Sequence, residues 1–275
     1  MIPLCDLHTH TTFCDGKNTP EEMIVSALQK GLYTLGFSGH VPAMVKGGDT
    51  DWWISPARLG EYCKEVLSLK NKYAGQIEVL LGFEMDYFSP ELKGFTYEYL
   101  IGSVHYVKTP YEYIPVDASP DILKESVARS YGGDFMAYAK DYFETEAHVV
   151  EKTNCDIVGH FDLLTKFNEK YPCIDENDKK YQTMALEALD SILEKDVLIE
   201  INTGAISRGW RTLPYPSEFI LKHIAQKQGR VILNSDAHSA DNILFAFDNA
   251  LSLARSCGIK DIWTYKNGGF SPIRI

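Results

Sequence analysis

A parallel α/β barrel is the fold this sequence predicts, and three observations carry that reading. Short apolar runs alternate with helical patterns from one end of the chain to the other. Most of the runs are near-continuous in hydrophobicity, as parallel strands covered on both faces should be. At 275 residues the chain is long for one ordinary domain and short for two, whereas an α/β barrel commonly takes about 200–250 residues or more as a single unit. We read residues 1–275 as one barrel domain.

The strand candidates, in order, are Ile2–Leu7, Thr34–Ser38, Ile77–Phe83, Tyr99–Val104, Asp156–Val158, Val197–Asn202 and Val231–Ser235, with Ile262–Tyr265 as one further short strand. Seven βα-type units point to a closed or nearly closed barrel rather than an open sheet. The first helix, Thr19–Lys30, opens with an N-cap at Thr19, Pro20 at the first helical position and Glu21 and Glu22 in the first turn. Further helical patterns run near Pro56–Tyr73, Asp134–Lys152, Asp178–Lys195, Ser217–Gln228 and Asp241–Ser256. Between Thr109 and Asp134, Pro110, Pro115, Pro120 and Gly132-Gly133 mark a long insertion after a strand, the kind of βα loop that shapes a substrate pocket.

Composition narrows the partners. With 45% hydrophobic, 12% aromatic and 24% charged residues the chain is globular. Its net charge of −11 argues against nucleic acid or an anionic membrane as partner, since both call for a basic patch. A small anionic substrate remains compatible if metal ions supply local positive charge. The six cysteines form no CxxC pair and no repeated spacing, so reduced thiols in a cytoplasmic protein are expected. MIPLCDLHTH has neither the basic segment nor the apolar stretch of a signal peptide, and no run approaches a membrane span.

The histidines are informative through position more than number. Six of the eight sit at or just beyond the C-terminal end of an apolar run: His8 and His10, His40, His105, His160 and His238. Glu84 ends IEVLLGFE and Asp236 ends VILNSD in the same way. In a parallel barrel those ends converge on the face that holds the active site. His8/His10 and Asp236/His238 are i, i+2 pairs, which an extended strand directs to one side. Asp15, in FCDGKNTP, is close enough in sequence to His10 to return to the same mouth. Imidazoles with carboxylates suit zinc, iron or manganese. One strand-end histidine is more often a satisfied core residue than a ligand; the convergence of six with two acids is what argues for a metal centre. His148 and His223 fall inside helical patterns and read as ordinary, and Asp51-Trp52-Trp53 reads as a lid or packing element.

The segments DLHTHTTFCDG, FSGH, GFEMDY, GSVHY, DIVGHFDLL, IEINTGAISRG and LNSDAH resemble, in that order, the motifs of the polymerase and histidinol phosphatase superfamily. GSVHYV, GHFDLL, and INTG with a following Arg and then LPYPS resemble most its histidinol-phosphate phosphatase branch. That resemblance implies a distorted (β/α)7 TIM-like barrel with three divalent metal ions (Zn, Mn or Fe) at the C-terminal ends of the strands. It implies that His8 and His10 share a first metal with Glu84 and Asp236, and that Glu84 bridges to a second held by His105 and His160. Asp15, His40 and His238 match the ligands of the third, Asp15 standing where many relatives have His.

The implied reaction is hydrolysis of L-histidinol phosphate, a small phosphate monoester in histidine synthesis, by a metal-bridging hydroxide. Glu84 and Asp236 would hold and orient that nucleophile. Arg208 is the candidate for a bidentate phosphate contact. Asp162 could orient His160 or meet a leaving-group proton. The substrate amine also wants a carboxylate, and several are available. Two other readings keep the same motifs: a related phosphoesterase acting on nucleotide bisphosphates or cyclic phosphodiesters, and a non-catalytic barrel module, against which the full ligand set argues.

Overall fold

The computed structural model describes residues 5–46 and 51–275. In chain order its strands are β1 (Cys5–Asp6), β2 (Thr34–His40), β3 (Glu78–Asp86), β4 (Tyr99–Ser103), β5 (Tyr106–Lys108), β6 (Tyr113–Pro115), β7 (Ile157–Val158), β8 (Leu198–Asn202), β9 (Val231–Asn234), β10 (Asp261–Lys266) and β11 (Gly269–Arg274). Nine of them form one sheet in the order β1-β2-β3-β4-β7-β8-β9-β10-β11, and β5 and β6 make a separate antiparallel hairpin. Every neighbouring pair in the large sheet is parallel except β10–β11. The main helices are α1 (Pro20–Gln29), α2 (Leu59–Lys72), α3 (Pro120–Tyr131), α4 (Phe135–Glu146), α5 (Val149–Thr153), α6 (Lys179–Leu193), α7 (Gly204–Ser207), α8 (Glu218–Lys227) and α9 (Phe247–Ser256). α1 begins as the sequence suggests: Glu22 N donates to Thr19 Oγ1 at 3.3 Å while Thr19 N donates to Glu22 Oε2 at 2.8 Å.

The elements depart from expectation in instructive ways. Residues 2–4 of the first strand candidate lie outside the described residues, and β1 itself is short. β2 and β3 run further than their apolar cores, so His40 and Glu84 are cross-strand partners within the sheet rather than residues beyond its edge. The Asp134–Lys152 pattern is broken at Ala147-His148 into α4 and α5. The insertion is largely ordered as β5, β6 and α3, whose N-cap Ser119 accepts from Ile122 N at 3.2 Å with Pro120 at the first helical position.

Cys5, Leu7, Leu80, Tyr99, Ile101, Ile157, Leu198 and Ile232 meet in one buried apolar cluster, with Trp263, Tyr265 and Phe270 packed against it. Residues from both halves of a long sheet can meet this way only if the sheet curls around them, with the β10–β11 hairpin covering one end. A larger cluster fills the space between the sheet and the helices. The curl is a distorted barrel with a seam. At one end β10 lies between β1 and β9, where Tyr265 N donates to Cys5 Sγ at 3.4 Å and Trp263 pairs with Ile232. Towards the C-terminal strand ends, Thr9 and Ala237 form an isolated parallel bridge, with His10 N donating to Ala237 O at 2.9 Å and Ala237 N to His8 O at 3.1 Å. Asp6 reinforces the seam by accepting from Ser235 N at 3.0 Å and from Ser235 Oγ, and burial raises its carboxyl to about 6. No helix among the described residues is long and apolar enough to cross a membrane.

Inside the barrel the ring of Tyr99 crosses the interior to donate its hydroxyl to Leu7 O at 2.5 Å. A Cβ at Gly82 would fall well inside van der Waals contact with that ring. Gly82→Ala should therefore lower the urea unfolding free energy by about 1–3 kcal/mol through overpacking. An unchanged unfolding midpoint would show that Tyr99 is free to move aside.

Candidate metal centre

All nine of the histidines and carboxylates expected as metal ligands come together at the C-terminal strand ends. Glu84, buried in β3, divides them. Its Oε2 lies 3.0 Å from His8 Nε2, 3.5 Å from His10 Nε2 and 3.0 Å from His40 Nδ1. Its Oε1 lies 3.1 Å from His160 Nε2 and 3.3 Å from His105 Nε2, and accepts from Ser103 Oγ at 2.7 Å. Burial alone would raise this carboxyl, but the imidazoles of His8, His40 and His105 reverse that and hold it well below the usual range.

Asp236 faces the first of these sides. Its Oδ1 lies 3.4 Å from His10 Nε2 and 3.8 Å from His8 Nε2, while its Oδ2 accepts from Arg208 Nη2 at 2.7 Å. Its backbone φ is +50°, so the period-two argument for Asp236 and His238 does not hold. A left-handed residue, not strand alternation, brings both side chains inward. His8 and His10 likewise lie beyond β1, and the isolated bridge at Thr9 carries them.

The outermost group is His10, Asp15, His40 and His238. The ring of His10 stacks between those of His40 and His238, at 4.2 Å from each. Burial and the neighbouring His238 and His40 depress its pKa to about 3, so it is neutral and available as a donor. Asp15 Oδ2 lies 3.1 Å from His238 Nε2 and Oδ1 3.7 Å from His40 Nε2. Gly16 is what lets the loop return: any Cβ there would collide with the backbone of His10 and Thr11. Gly16 N donates to Thr11 O at 3.1 Å and Lys17 N to His238 O at 2.8 Å, fastening the turn.

The chemistry of this set fits divalent cations. His10 Nε2 is buried among the carboxylates without a hydrogen-bond partner, and the donor atoms fall into four groups whose members lie within 4.8 Å of one another. Imidazole and carboxylate donors without thiolate suit zinc, manganese or iron. Trp52 packs edge-on to His40 with centroids 4.6 Å apart, the packing half of the lid or packing reading.

Two positioning residues escaped the sequence reading. Glu200 in β8 accepts from His8 Nδ1 at 2.7 Å, His160 N at 2.9 Å, Asn202 Nδ2 at 2.8 Å and Asn234 Nδ2 at 2.9 Å. The signal was a Glu inside the apolar run Val197–Asn202, since a charge buried in a strand must be paired. Asp86 accepts from His105 N at 2.8 Å and from Phe88 N at 2.7 Å. Asp162, expected beside His160 or the leaving group, instead accepts from Ser217 N at 2.9 Å and Ser217 Oγ at 2.5 Å, bracing a neighbouring loop. His148 and His223 stand apart from the centre, with His148 Nδ1 2.8 Å from Glu144 O and His223 Nε2 2.7 Å from Asp190 Oδ1.

Beyond the centre opens a cleft of about 690 Å³, a size suited to a small molecule. Arg208, Lys166 and the insertion residues Glu112, Tyr113, Asp117, Ile122 and Arg129 line it together with the centre itself. Arg208 Nη1 lies 2.9 Å from His238 Nδ1, so its guanidinium borders the metal centre.

Known proteins match both the sequence and the fold of this chain. Residues 6–204 match the PHP domain family. The chain is 30% identical to a Deinococcus radiodurans protein named "Probable histidinol-phosphatase", over 99% of this chain and 100% of that one. It is 28% identical to the histidinol-phosphatase of Bacillus subtilis, over 88% of this chain and 96% of that one. A solved structure of histidinol phosphate phosphatase from Lactococcus lactis, complexed with zinc, L-histidinol and phosphate, shares the fold with a TM-score of 0.75 at 20% identity, covering 98% of this chain and 99% of that one.

Glu200 fixes the tautomer of His8 by accepting a hydrogen bond from Nδ1–H, which leaves the Nε2 lone pair free for a cation. Glu200→Gln should weaken divalent-metal binding by about 10–100-fold, the usual range for such partners. Calorimetric titration of zinc or manganese into metal-free protein measures this; wild-type affinity would mean that His8 orients itself.

Proposed function

This chain belongs to the PHP domain family, and from that premise we propose that it is a metal-dependent phosphatase that hydrolyses L-histidinol phosphate to L-histidinol and phosphate. The observation that carries the reading is the division of five imidazoles by the two oxygens of Glu84 at the floor of a small-molecule cleft. The naming of full-length relatives as histidinol-phosphatases supports the substrate. The site proposed for three divalent ions, Zn, Mn or Fe, has His8, His10, Glu84 and Asp236 on the first, Glu84, His105 and His160 on the second, and Asp15, His40 and His238 on the third. Residues 1–275 would form one domain working in the cytoplasm.

Bound divalent ions supply an acidified water near neutral pH and offset the negative charge of the phosphoryl oxygens. The side chains then have distinct tasks. Glu84 and Asp236 would orient the attacking water, whose oxygen bonds to phosphorus as the P–O ester bond breaks, and the proton that the water gives up ends on the leaving alkoxide. Arg208, charge-paired to Asp236 at 2.7 Å and lining the cleft, is the residue with a planar fork to offer the phosphoryl oxygens. Lys could not reproduce two parallel hydrogen bonds there.

The direct test is phosphate release from L-histidinol phosphate by purified protein. Chelation should abolish it and added Mn, Zn, Fe or Co restore it; full activity after verified metal removal would sink the proposal. His8→Ala, Glu84→Ala and Asp236→Ala should each cost several orders of magnitude in turnover, and His148→Ala and His223→Ala far less. Similar losses across the two groups would misplace the site. Arg208→Ala should lower kcat/KM by about 100-fold, roughly 2.7 kcal/mol, with Arg208→Lys recovering only part and metal content unchanged. A near wild-type Arg208→Ala enzyme would assign the phosphate contact elsewhere.

A further inference from the structure

Five carboxylates line the cleft: Asp15, Glu84, Glu112, Asp117 and Asp236. Asp15, Glu84 and Asp236 lie among the imidazoles of the metal centre. Glu112 is occupied on both oxygens, by Arg129 Nε at 2.9 Å and Nη2 at 2.6 Å and by Ser130 Oγ at 2.6 Å. Asp117 differs. Lys166 Nζ donates to its Oδ2 at 2.9 Å and to its backbone carbonyl at 3.1 Å, and neither bond uses Oδ1. Both residues line the cleft, and the Asp117 side chain is 32% exposed against 10% for its lysine partner, so the carboxylate is the more open of the pair.

Its position suits a group near the reacting phosphate. Asp117 directly follows Val116, whose amide donates to the carbonyl of His105 at 2.9 Å, so the carboxylate stands beside a strand end of the metal centre. In L-histidinol phosphate the ammonium group is on the carbon adjacent to the ester methylene. With the phosphate at the metal centre, that ammonium must find an acceptor close by, on the side away from the metal cations.

We propose that Asp117 is the specificity-determining residue that accepts the substrate's ammonium group through Oδ1, with Lys166 as a positioning residue that fixes the carboxylate. The inference rests on the reading of the chain as a histidinol-phosphatase. Lys166 also supplies a charge partner when the cleft holds no substrate, so Asp117 is never left as an unpaired anion in a partly buried wall. The ligand class it selects is a phosphate monoester with an amine one carbon beyond the ester methylene.

The test uses the metal-loaded enzyme and two substrates, L-histidinol phosphate and p-nitrophenyl phosphate, which lacks the amine. Asp117→Asn keeps the shape and an acceptor for Lys166 but removes the charge. The ratio of kcat/KM for L-histidinol phosphate to that for p-nitrophenyl phosphate should fall by about 10–100-fold, the loss expected for a charge-assisted hydrogen bond. The Ki of L-histidinol should rise by a similar factor relative to that of inorganic phosphate. Should Asp117→Asn fail to fold by circular dichroism, Asp117→Ser is measured in the same way. An unchanged ratio in the folded variant, or equal losses on both substrates, overturns this inference alone. A wild-type enzyme that hydrolyses p-nitrophenyl phosphate but is inert towards L-histidinol phosphate overturns the functional reading and this inference with it.

Discussion

A single buried carboxylate organises this molecule. Glu84 sits in β3 with ladders on both sides, paired with His40 across β2 and with Ile101 across β4. It cannot shift without breaking backbone hydrogen bonds, so the neighbouring strand and the loops must bring their groups to it. They do so from both directions, with His8, His10 and His40 on one oxygen and His105 and His160 on the other. The same crowding leaves the imidazoles at odds with one another. Glu200 and Glu84 raise the pKa of His8 against the effect of its burial, while burial and two neighbouring rings depress that of His10. Donor sets built this tightly gain from a cation that replaces several imperfect contacts at once, and metal affinity then becomes part of folding stability.

The barrel seam serves the same constraint. β1 is too short to pair with β9 along its length, and β10 intrudes between them at one end. The contacts that close the other end are the bridge at Thr9 and Ala237 and the Asp6–Ser235 hydrogen bonds. Both flank metal-centre residues directly, Thr9 between His8 and His10, and Ser235 and Ala237 around Asp236. Closing the barrel and placing those side chains are therefore one event, and a loosened seam would separate His8 and His10 from Asp236.

Much of this was legible from the sequence because strand ends in a parallel barrel share a face. The pattern of His40, Glu84, His105 and His160 after apolar runs needed no knowledge of angles. What failed were arguments that assumed regular backbone. The spacing of Asp236 and His238 suggested strand alternation, yet Asp236 has a left-handed φ that no spacing encodes. Asp162 is close to His160 in the chain, but its hydrogen bonds run to Ser217, a long-range choice. Glu200 and α3 were within reach. Glu200 interrupts an apolar strand, and Ser119-Pro120-Asp121 repeats the start signal seen in Thr19-Pro20-Glu21, but the prolines and glycines around it favoured a loop reading.

The donor set and the far wall of the cleft have different structural sources here. The barrel strands and their ends supply the donors for the metal centre, whereas the far wall of the cleft comes largely from the insertion that carries β5, β6 and α3. Arg129 of α3 clamps Glu112 in the turn of the β5–β6 hairpin with two parallel hydrogen bonds. Arg129 is 59% exposed, so solvent screens the pair and it adds little to stability. Its effect is geometric, because a bidentate clamp sets the angle between hairpin and helix. That angle fixes where the cleft wall stands relative to Glu84. A rearranged insertion would therefore reshape the far wall of the cleft while the donor set stays intact.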